Sequence, residues 1–267
     1  MDKVDYKEFA RQMRENKVTD EYGRIICSPE LWELIAQTIE SKSKGDEVIM
    51  EKEKVVALCS GGFDSIVMLN DLVRNPAYSV RVIFFNYGQK NADKEETYLR
   101  YWVERLGIDK TSIGVTLPTL SWASTSMTGN SVVKDYSDTK AQYVPMRNLI
   151  FASYALSYAE SIGATKIFMA ILGGGTYPDT TQCFFDSLND IAGDVGIEFV
   201  TPFINHDKVY LLSRAIEYGV INKDGTNNFF SCNTPIDGKP CGMCADCKVI
   251  QEMKSLFLNK PLDDLGI

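Results

Sequence analysis

Two clusters of residues in this sequence have the types and spacing to do chemistry. The first is Ser60-Gly61-Gly62-Phe63-Asp64-Ser65. Adjacent glycines let a backbone approach an anion closely. Where such a turn opens a helix, its N–H groups point outward with the helix dipole behind them. Ser60 and Ser65 add hydroxyl donors. Asp64 is the odd member, because a carboxylate repels phosphate unless it holds Mg2+ or caps the helix, so a metal-bound nucleotide is expected. The sequence has no G-x-x-x-x-G-K-[ST] and no G-x-G-x-x-G here, which excludes a Walker-type loop and disfavours a dinucleotide fold. The second cluster is Cys232, Cys241, Cys244 and Cys247, spaced C-x8-C-x2-C-x2-C. Four thiolates that close suit a tetrahedral Zn2+ whose coordination sphere is full, a structural rather than catalytic site. Pro240 and Gly242 shape the backbone around the knuckle. Strain in adjacent C-x2-C pairs and a reducing compartment count against disulfides. An iron–sulfur cluster is the remaining alternative. Cys27, Cys59 and Cys183 are scattered, and Cys27 and Cys59 read as small buried hydrophobes.

The elements that must position these clusters alternate along the chain. Short apolar runs at 55–59, 80–85, 113–117, 166–172 and 197–200 read as strands. Apolar residues at helical spacing follow the glycine turn (Ile66, Val67, Leu69, Leu72), and helices are predicted over 93–106, 147–162, 182–192 and 207–218. Strands alternating with helices predict a parallel sheet covered on both faces, an α/β fold in which ligands bind at the carboxyl ends of the strands. The polar stretch 118–142 is long enough to be an active-site loop. Four more segments fall at strand ends or helix starts and can converge on the same crevice: 86–90 with Tyr87, Gly88 and Gln89, 143–151 with Arg147 and Asn148, Tyr177-Pro178-Asp179, and Thr201-Pro202-Phe203. Arg147 can pair bidentately with phosphate or carboxylate. Asn148 can bond a base edge or a carbonyl, and Tyr87 and Tyr177 can stack on purine rings. Asp179 can hold Mg2+ or a base N–H, with a helix N-cap as the structural alternative. The sole histidine, His206, sits at a helix start and receives no catalytic role, which makes a Ser–His or Cys–His nucleophile a poor reading.

Composition sets the outer limits. The chain has 267 residues, a net charge of −8 and 45% hydrophobic residues, ordinary for a globular protein that does not grip long nucleic acid. No apolar run reaches the ~20 residues of a membrane span. The charged N-terminus lacks an apolar signal core, so a cytoplasmic location is expected. Residues 1–53 carry 9 basic and 13 acidic side chains and read as a helical extension, with a helix start at Ser28-Pro29-Glu30 and a surface for a protein partner. Residues 54–222 form the α/β domain, and 223–267 the zinc-binding region.

Ser-Gly-Gly-x-Asp-Ser resembles the pyrophosphate-binding loop of the ATP pyrophosphatase, or PP-loop, superfamily, a Rossmann-like fold of the HUP class. With the four segments and the cysteine cluster, residues 54–258 resemble the 7-cyano-7-deazaguanine synthase family. That resemblance implies a five-stranded-type parallel sheet, the use of ATP and Mg2+, structural Zn2+ and a homodimer. It implies adenylation of 7-carboxy-7-deazaguanine, attack by ammonia to give the amide, and a second activation to give the nitrile. Residues Ser60 to Ser65, with Tyr87, Gly88 and Gln89, would bind the nucleotide. Asp64, Ser65 and Arg147 would be catalytic. Arg147, Asn148, Tyr177 and Asp179 would hold the substrate, and Cys232, Cys241, Cys244 and Cys247 the zinc. Four departures fall in the acceptor half of the site. Lys90-Asn91 stands where Arg-His is usual, and Thr180-Thr181 where Cys-Arg is usual. Gly173 to Thr176 lacks an Asp-Tyr-Ser pattern, and Val249-Ile250-Gln251 lacks an arginine. They leave open a diverged enzyme of phage or anti-phage type, which stops at the amide or attaches the deazaguanine to a protein or another amine. A nucleotide-binding regulatory subunit without turnover is the alternative from another class. A tRNA-thiolating or lysidine-forming enzyme is more remote, given the acidic charge.

Overall fold

The computed structural model describes residues 52–109, 113–118, 125, 127–128, 140–173, 177–222 and 224–259. The predicted N-terminal extension with Cys27, most of the 118–142 loop and residues 174–176 lie outside these. Lys52 opens a compact unit that runs on through the C-terminal helix.

Five strands, β1 (Glu53–Leu58), β2 (Tyr78–Asn86), β3 (Ile113–Thr116), β4 (Lys166–Met169) and β5 (Glu198–Val200), form one sheet in the order β3-β2-β1-β4-β5. Every pairing is parallel. Among the described residues six α-helices accompany it: α1 (Phe63–Arg74), α2 (Ala92–Arg105), α3 (Arg147–Ile162), α4 (Gln182–Gly193), α5 (Leu212–Glu217) and α6 (Ala245–Asn259). The fold predicted from the alternation is the fold observed.

Successive side chains of a strand leave on opposite faces, and the central strands use this to feed two cores. Val55 and Ala57 of β1, with Val82 and Phe84 of β2, pack against Ile66 and Leu69 of α1, Trp102 of α2 and Leu212 of α5. Val56, Leu58, Ile83 and Phe85 pack on the other face against Ala152, Ala155 and Ala159 of α3 and Phe185 of α4. The alanine stripe lets α3 lie close to the sheet. Phe229, Ile250 and Met253 belong to the first core, so the cysteine-bearing region shares the core of the α/β body.

The strand order places the functional site. Beyond β3 the chain crosses to the far side of β1, so the connections after β1 and β4 diverge and leave a crevice above their carboxyl ends. One helix is shorter than predicted. Asp207 Oδ1 accepts the Tyr210 N–H at 2.9 Å, holding residues 207–211 in turns, and α5 starts only at Leu212. Among the described residues no helix is long and apolar enough to cross a membrane.

Candidate active site

A cavity of about 400 Å³ opens at this crevice, within the range of roughly 300–1,000 Å³ typical of small-molecule sites. One wall is the glycine turn. Gly61 has φ +81°, and a Cβ built there would lie 2.1 Å from the Glu95 carbonyl oxygen, so only glycine fits both conformation and space. Ser65 Oγ donates to the Gly62 carbonyl at 3.0 Å and accepts the Ser60 N–H at 3.2 Å, which closes the turn. The Phe63 N–H donates to Ser231 Oγ at 3.0 Å, and the Phe230 N–H to the Gly61 carbonyl at 3.1 Å. The segment leading into Cys232 therefore braces the turn. Ser60, Gly62, Asp64 and Ser65 line the cavity. Phe63 is instead a core residue, fully buried and edge-on to Phe229.

Asp64 does not cap α1. It faces Lys208, whose Nζ lies 3.7 Å from Asp64 Oδ2 and 2.6 Å from Asp246 Oδ1. Asn233 Nδ2 donates to the other Asp246 oxygen at 2.6 Å. Burial pushes the Asp64 carboxyl up to about 6, opposed by Lys208 and reinforced by Asp246. Burial would lower the Lys208 ammonium, but the two carboxylates outweigh it and keep it charged. Asp64 Oδ1 is buried and has no partner. An uncommitted carboxylate oxygen beside a phosphate-type turn fits Mg2+, a hard cation held by one or two carboxylates together with substrate phosphates.

The facing wall is built from α3, the end of β2 and the turn at Pro178–Thr180. Met146 holds the left-handed conformation at φ 50° where α3 begins. Arg147 Nη1 donates to Tyr87 Oη at 2.8 Å, and the guanidinium lies over the Tyr87 and Phe151 rings at 5.4 and 5.9 Å. Its Nε is buried without a partner. Asp179 is 2% exposed; its Oδ2 accepts the Asn148 N–H at 2.9 Å, and Asn148 Nδ2 donates to the Asp179 carbonyl at 3.0 Å. Asp179 thus caps α3, a neighbouring helix, and the Asn148 amide is committed to that cap. Tyr87 is a buried aromatic tilted on Phe151, whereas Tyr177 stacks on Tyr143 at 5.0 Å. Gln89 points inward, donating to the Phe85 carbonyl at 3.0 Å and to Glu95 Oε2 at 3.1 Å. Gly88 turns the chain with φ 86° and is not part of the lining. His206 stacks on Tyr210 outside the cavity.

Sequence reasoning missed Lys208, Asp246, Ser231, Asn233 and Glu95, all of which line the cavity. Glu95 left a signal. It shares the stripe of Ala92, Leu99 and Trp102, all buried, where an acidic residue has no structural reason to be.

Behind the glycine turn, the four Sγ atoms of Cys232, Cys241, Cys244 and Cys247 lie within 4.8 Å of one another. A tetrahedral site with Zn–S bonds near 2.3 Å needs sulfurs roughly 3.8 Å apart, so the set fits zinc with small adjustment. The Cys241 N–H donates to Cys232 Sγ at 3.2 Å, and the Cys244 N–H to Cys241 Sγ at 3.3 Å. Hydrogen bonding from Cys232 lowers the Cys244 thiol below its ordinary value. The described cysteines are all free thiols, with Cys59 buried and Cys183 exposed.

The family model described as queuosine biosynthesis protein QueC matches residues 54–253. The chain belongs to the QueC family. It is 32% identical over 206 residues to a 7-cyano-7-deazaguanine synthase of Marinomonas sp. (strain MWYL1), spanning 73% of this chain and 90% of that protein. It is also 32% identical over 212 residues to one from Rickettsia bellii (strain OSU 85-389), spanning 74% and 91%. Among solved structures, a Methanococcus maripaludis U34-tRNA thiolase with its [4Fe-4S] cluster overlaps 89% of this chain and 76% of its own at a TM-score of 0.41 and 15% identity. QueC membership supports, at family level, an ATP-using PP-loop enzyme that acts on a deazaguanine-type small molecule. The match begins at residue 54, so the preceding residues are additional to the family's core.

Proposed function

We propose that the cavity binds MgATP along the glycine turn and a 7-carboxy-7-deazaguanine against the α3 wall, and joins the activated carboxylate to ammonia. The carboxylate oxygen attacks the α-phosphorus and pyrophosphate leaves. The amine nitrogen then attacks the acyl carbon and AMP leaves, giving the amide. Repeating the activation on the amide oxygen, with loss of AMP, gives the nitrile. One observation carries this reading: a single cavity holds an uncommitted acceptor, Asp64 Oδ1, on the turn side and an uncommitted donor, Arg147 Nε, on the α3 side. The first matches a nucleotide-bound cation and the second an anionic oxygen.

Such chemistry rests on placement and charge stabilisation rather than on a covalent intermediate with the protein. Lys208, held between Asp64 and Asp246, supplies fixed positive charge for the phosphates. Mg2+ at Asp64 would neutralise the departing pyrophosphate. Arg147 is steadied by Tyr87 and keeps one N–H for the acyl or phosphate oxygen. Zinc at the four cysteines would act structurally, ordering the segment that braces the turn.

Incubation with 7-carboxy-7-deazaguanine, ATP, Mg2+ and ammonium, followed by mass spectrometry, tests the reading. AMP release with nitrile is the expected outcome. AMP release with an amide or a conjugate assigns the diverged acceptor chemistry allowed by the changes at Lys90-Asn91 and Thr180-Thr181. Absence of AMP release overturns the proposal in favour of a nucleotide-binding subunit.

A further inference from the structure

Glu95 is the side chain in the cavity that the chemistry above leaves without a task. It projects from the first turns of α2, on the stripe that otherwise buries apolar groups. Each carboxylate oxygen is fixed by one amide, Oε2 by Gln89 Nε2 and Oε1 by Asn91 Nδ2, both at 3.1 Å. Its main-chain carbonyl lies so close to Gly61 that a Cβ there would sit 2.1 Å away. The main chain of Glu95 thus abuts the glycine turn, while its side chain lines the same cavity. No lysine or arginine forms an ion pair with it among the described residues. The other terminal atom of the Asn91 amide, Oδ1, is buried and has no partner, although Asn91 is only 1% exposed.

Each Glu95 oxygen uses one lone pair on its amide partner and keeps another, so the carboxylate can accept from a cation that enters the cavity. The species that satisfies such a set carries donors on every side: an ammonium ion or a primary ammonium group. From this geometry we propose that Glu95 binds the ammonium nucleophile and is the base that deprotonates it. The inference rests on the adenylation reading given above. The step balances as follows. Ammonium gives one proton to the Glu95 carboxylate and becomes ammonia. The nitrogen lone pair forms the C–N bond, the C–O bond to AMP breaks, and AMP departs with that electron pair. The tetrahedral adduct loses its surplus proton to solvent, and Glu95 returns its own proton to solvent.

The local electrostatics suit the task. Burial raises the Glu95 carboxyl to about 8, opposed by the Gln89 amide, by Arg147 and by the Asn91 amide, and reinforced by Asp246. The charged and titratable groups bearing on it are Arg147 of α3, Tyr87 at the end of β2 and Asp246 of α6. A base whose affinity for protons lies near the working pH is an effective one toward ammonium.

The test compares Glu95→Gln and Glu95→Asp with the wild type in three assays: carboxylate-dependent ATP–pyrophosphate exchange, amide formation from ammonium, and hydroxamate formation from hydroxylamine. Hydroxylamine is largely unprotonated at neutral pH and needs no base. For Glu95→Gln, exchange and hydroxamate formation should stay near wild type, while ammonium-dependent kcat/KM falls about 100-fold or more. Glu95→Asp should fall between. In the wild type, the rate on total ammonium relative to hydroxylamine should level off above about pH 8, where Glu95 is ionised; in Glu95→Gln it should start lower and keep climbing with the fraction of free ammonia. Equal losses with both nucleophiles, retained ammonium use, or loss of exchange would each overturn the role of Glu95. A wild type without exchange overturns instead the adenylation reading beneath it.

Discussion

The two walls of the cavity are built by different means. The glycine-turn wall is a contiguous stretch of backbone, and its groups are arranged by φ angles, two serines and a helix start within residues 60–65. The α3 wall is a mosaic of side chains from separate elements, tied in pairs: Arg147 to Tyr87, Asn148 to Asp179, Gln89 to Glu95. Backbone geometry tolerates almost no substitution, because any side chain at Gly61 meets the Glu95 carbonyl of α2. Paired side chains can be exchanged for other pairs that still close. The resemblance read from the sequence runs partly the same way: the glycine turn matches its pattern, and the departures at Lys90-Asn91 and Thr180-Thr181 flank the side-chain wall, whereas that at Val249-Ile250-Gln251 lies on α6. Under the proposed placement of nucleotide and acceptor, this second wall is the one that can change its ligand.

The comparison can be broken in order of expected effect. Removing metal from the cysteine knuckle should have the largest consequence, since structural zinc contributes roughly 10–16 kcal/mol of apparent binding energy. Ser231 and Phe230 would lose their anchor, so chelation should lower the Tm by about 10 °C or more and weaken ATP binding in calorimetry. If chelation left ATP affinity intact, the brace between knuckle and turn would be irrelevant. Gly61→Ala should cost about 3 kcal/mol in urea unfolding, through overpacking and a strained φ, and should abolish nucleotide binding. Asp179→Ala should cost only about 1–2 kcal/mol through the lost cap. It should raise KM for the carboxylate acceptor and leave ATP affinity unchanged; an equal loss for both ligands would show the two walls to be one unit.

The smallest effect is one of pH. Asp64 has a folded value near 6, above its ordinary 3.8, because burial penalises its charged form. Between those values the folded state binds more protons than the unfolded state, so stability falls as pH rises through that window. Asp64→Asn cannot ionise. Its stability relative to wild type should therefore rise by about 1–2 kcal/mol between pH 4 and 7, read from paired urea titrations. The same ionisation is needed to hold Mg2+, so wild-type affinity for MgATP should weaken below about pH 6.

What was legible in the sequence follows the same division. The strands, the glycine turn and the cysteine spacing are written in consecutive residues, and all were found. Lys208 was hidden by the reading of 207–218 as one helix, a pattern that the Asx turn at Asp207 interrupts. Asp246 was hidden by its neighbours, since a residue between two cysteines of a knuckle looks like spacer. The sequence offers Asp179 a helix cap as one role, but the helix it caps is α3, 31 positions back, and no local pattern reveals such a partner. Glu95 could have been found from its place on the buried stripe of α2.

The strand order has a consequence for how the protein is made. β1 is flanked by β2, which follows soon after it, and by β4, which begins at residue 166. The turn after β1 is braced by Phe230 and Ser231, and the charge beside it is balanced by Asp246. Domains fold as they emerge during synthesis, and contacts between distant residues must wait for both partners. A ribosome that has delivered β1, β2 and β3 has produced three of the five strands, with the β4 edge of β1 open and no cavity. The site comes into being only when residues 230–246 have left the exit tunnel.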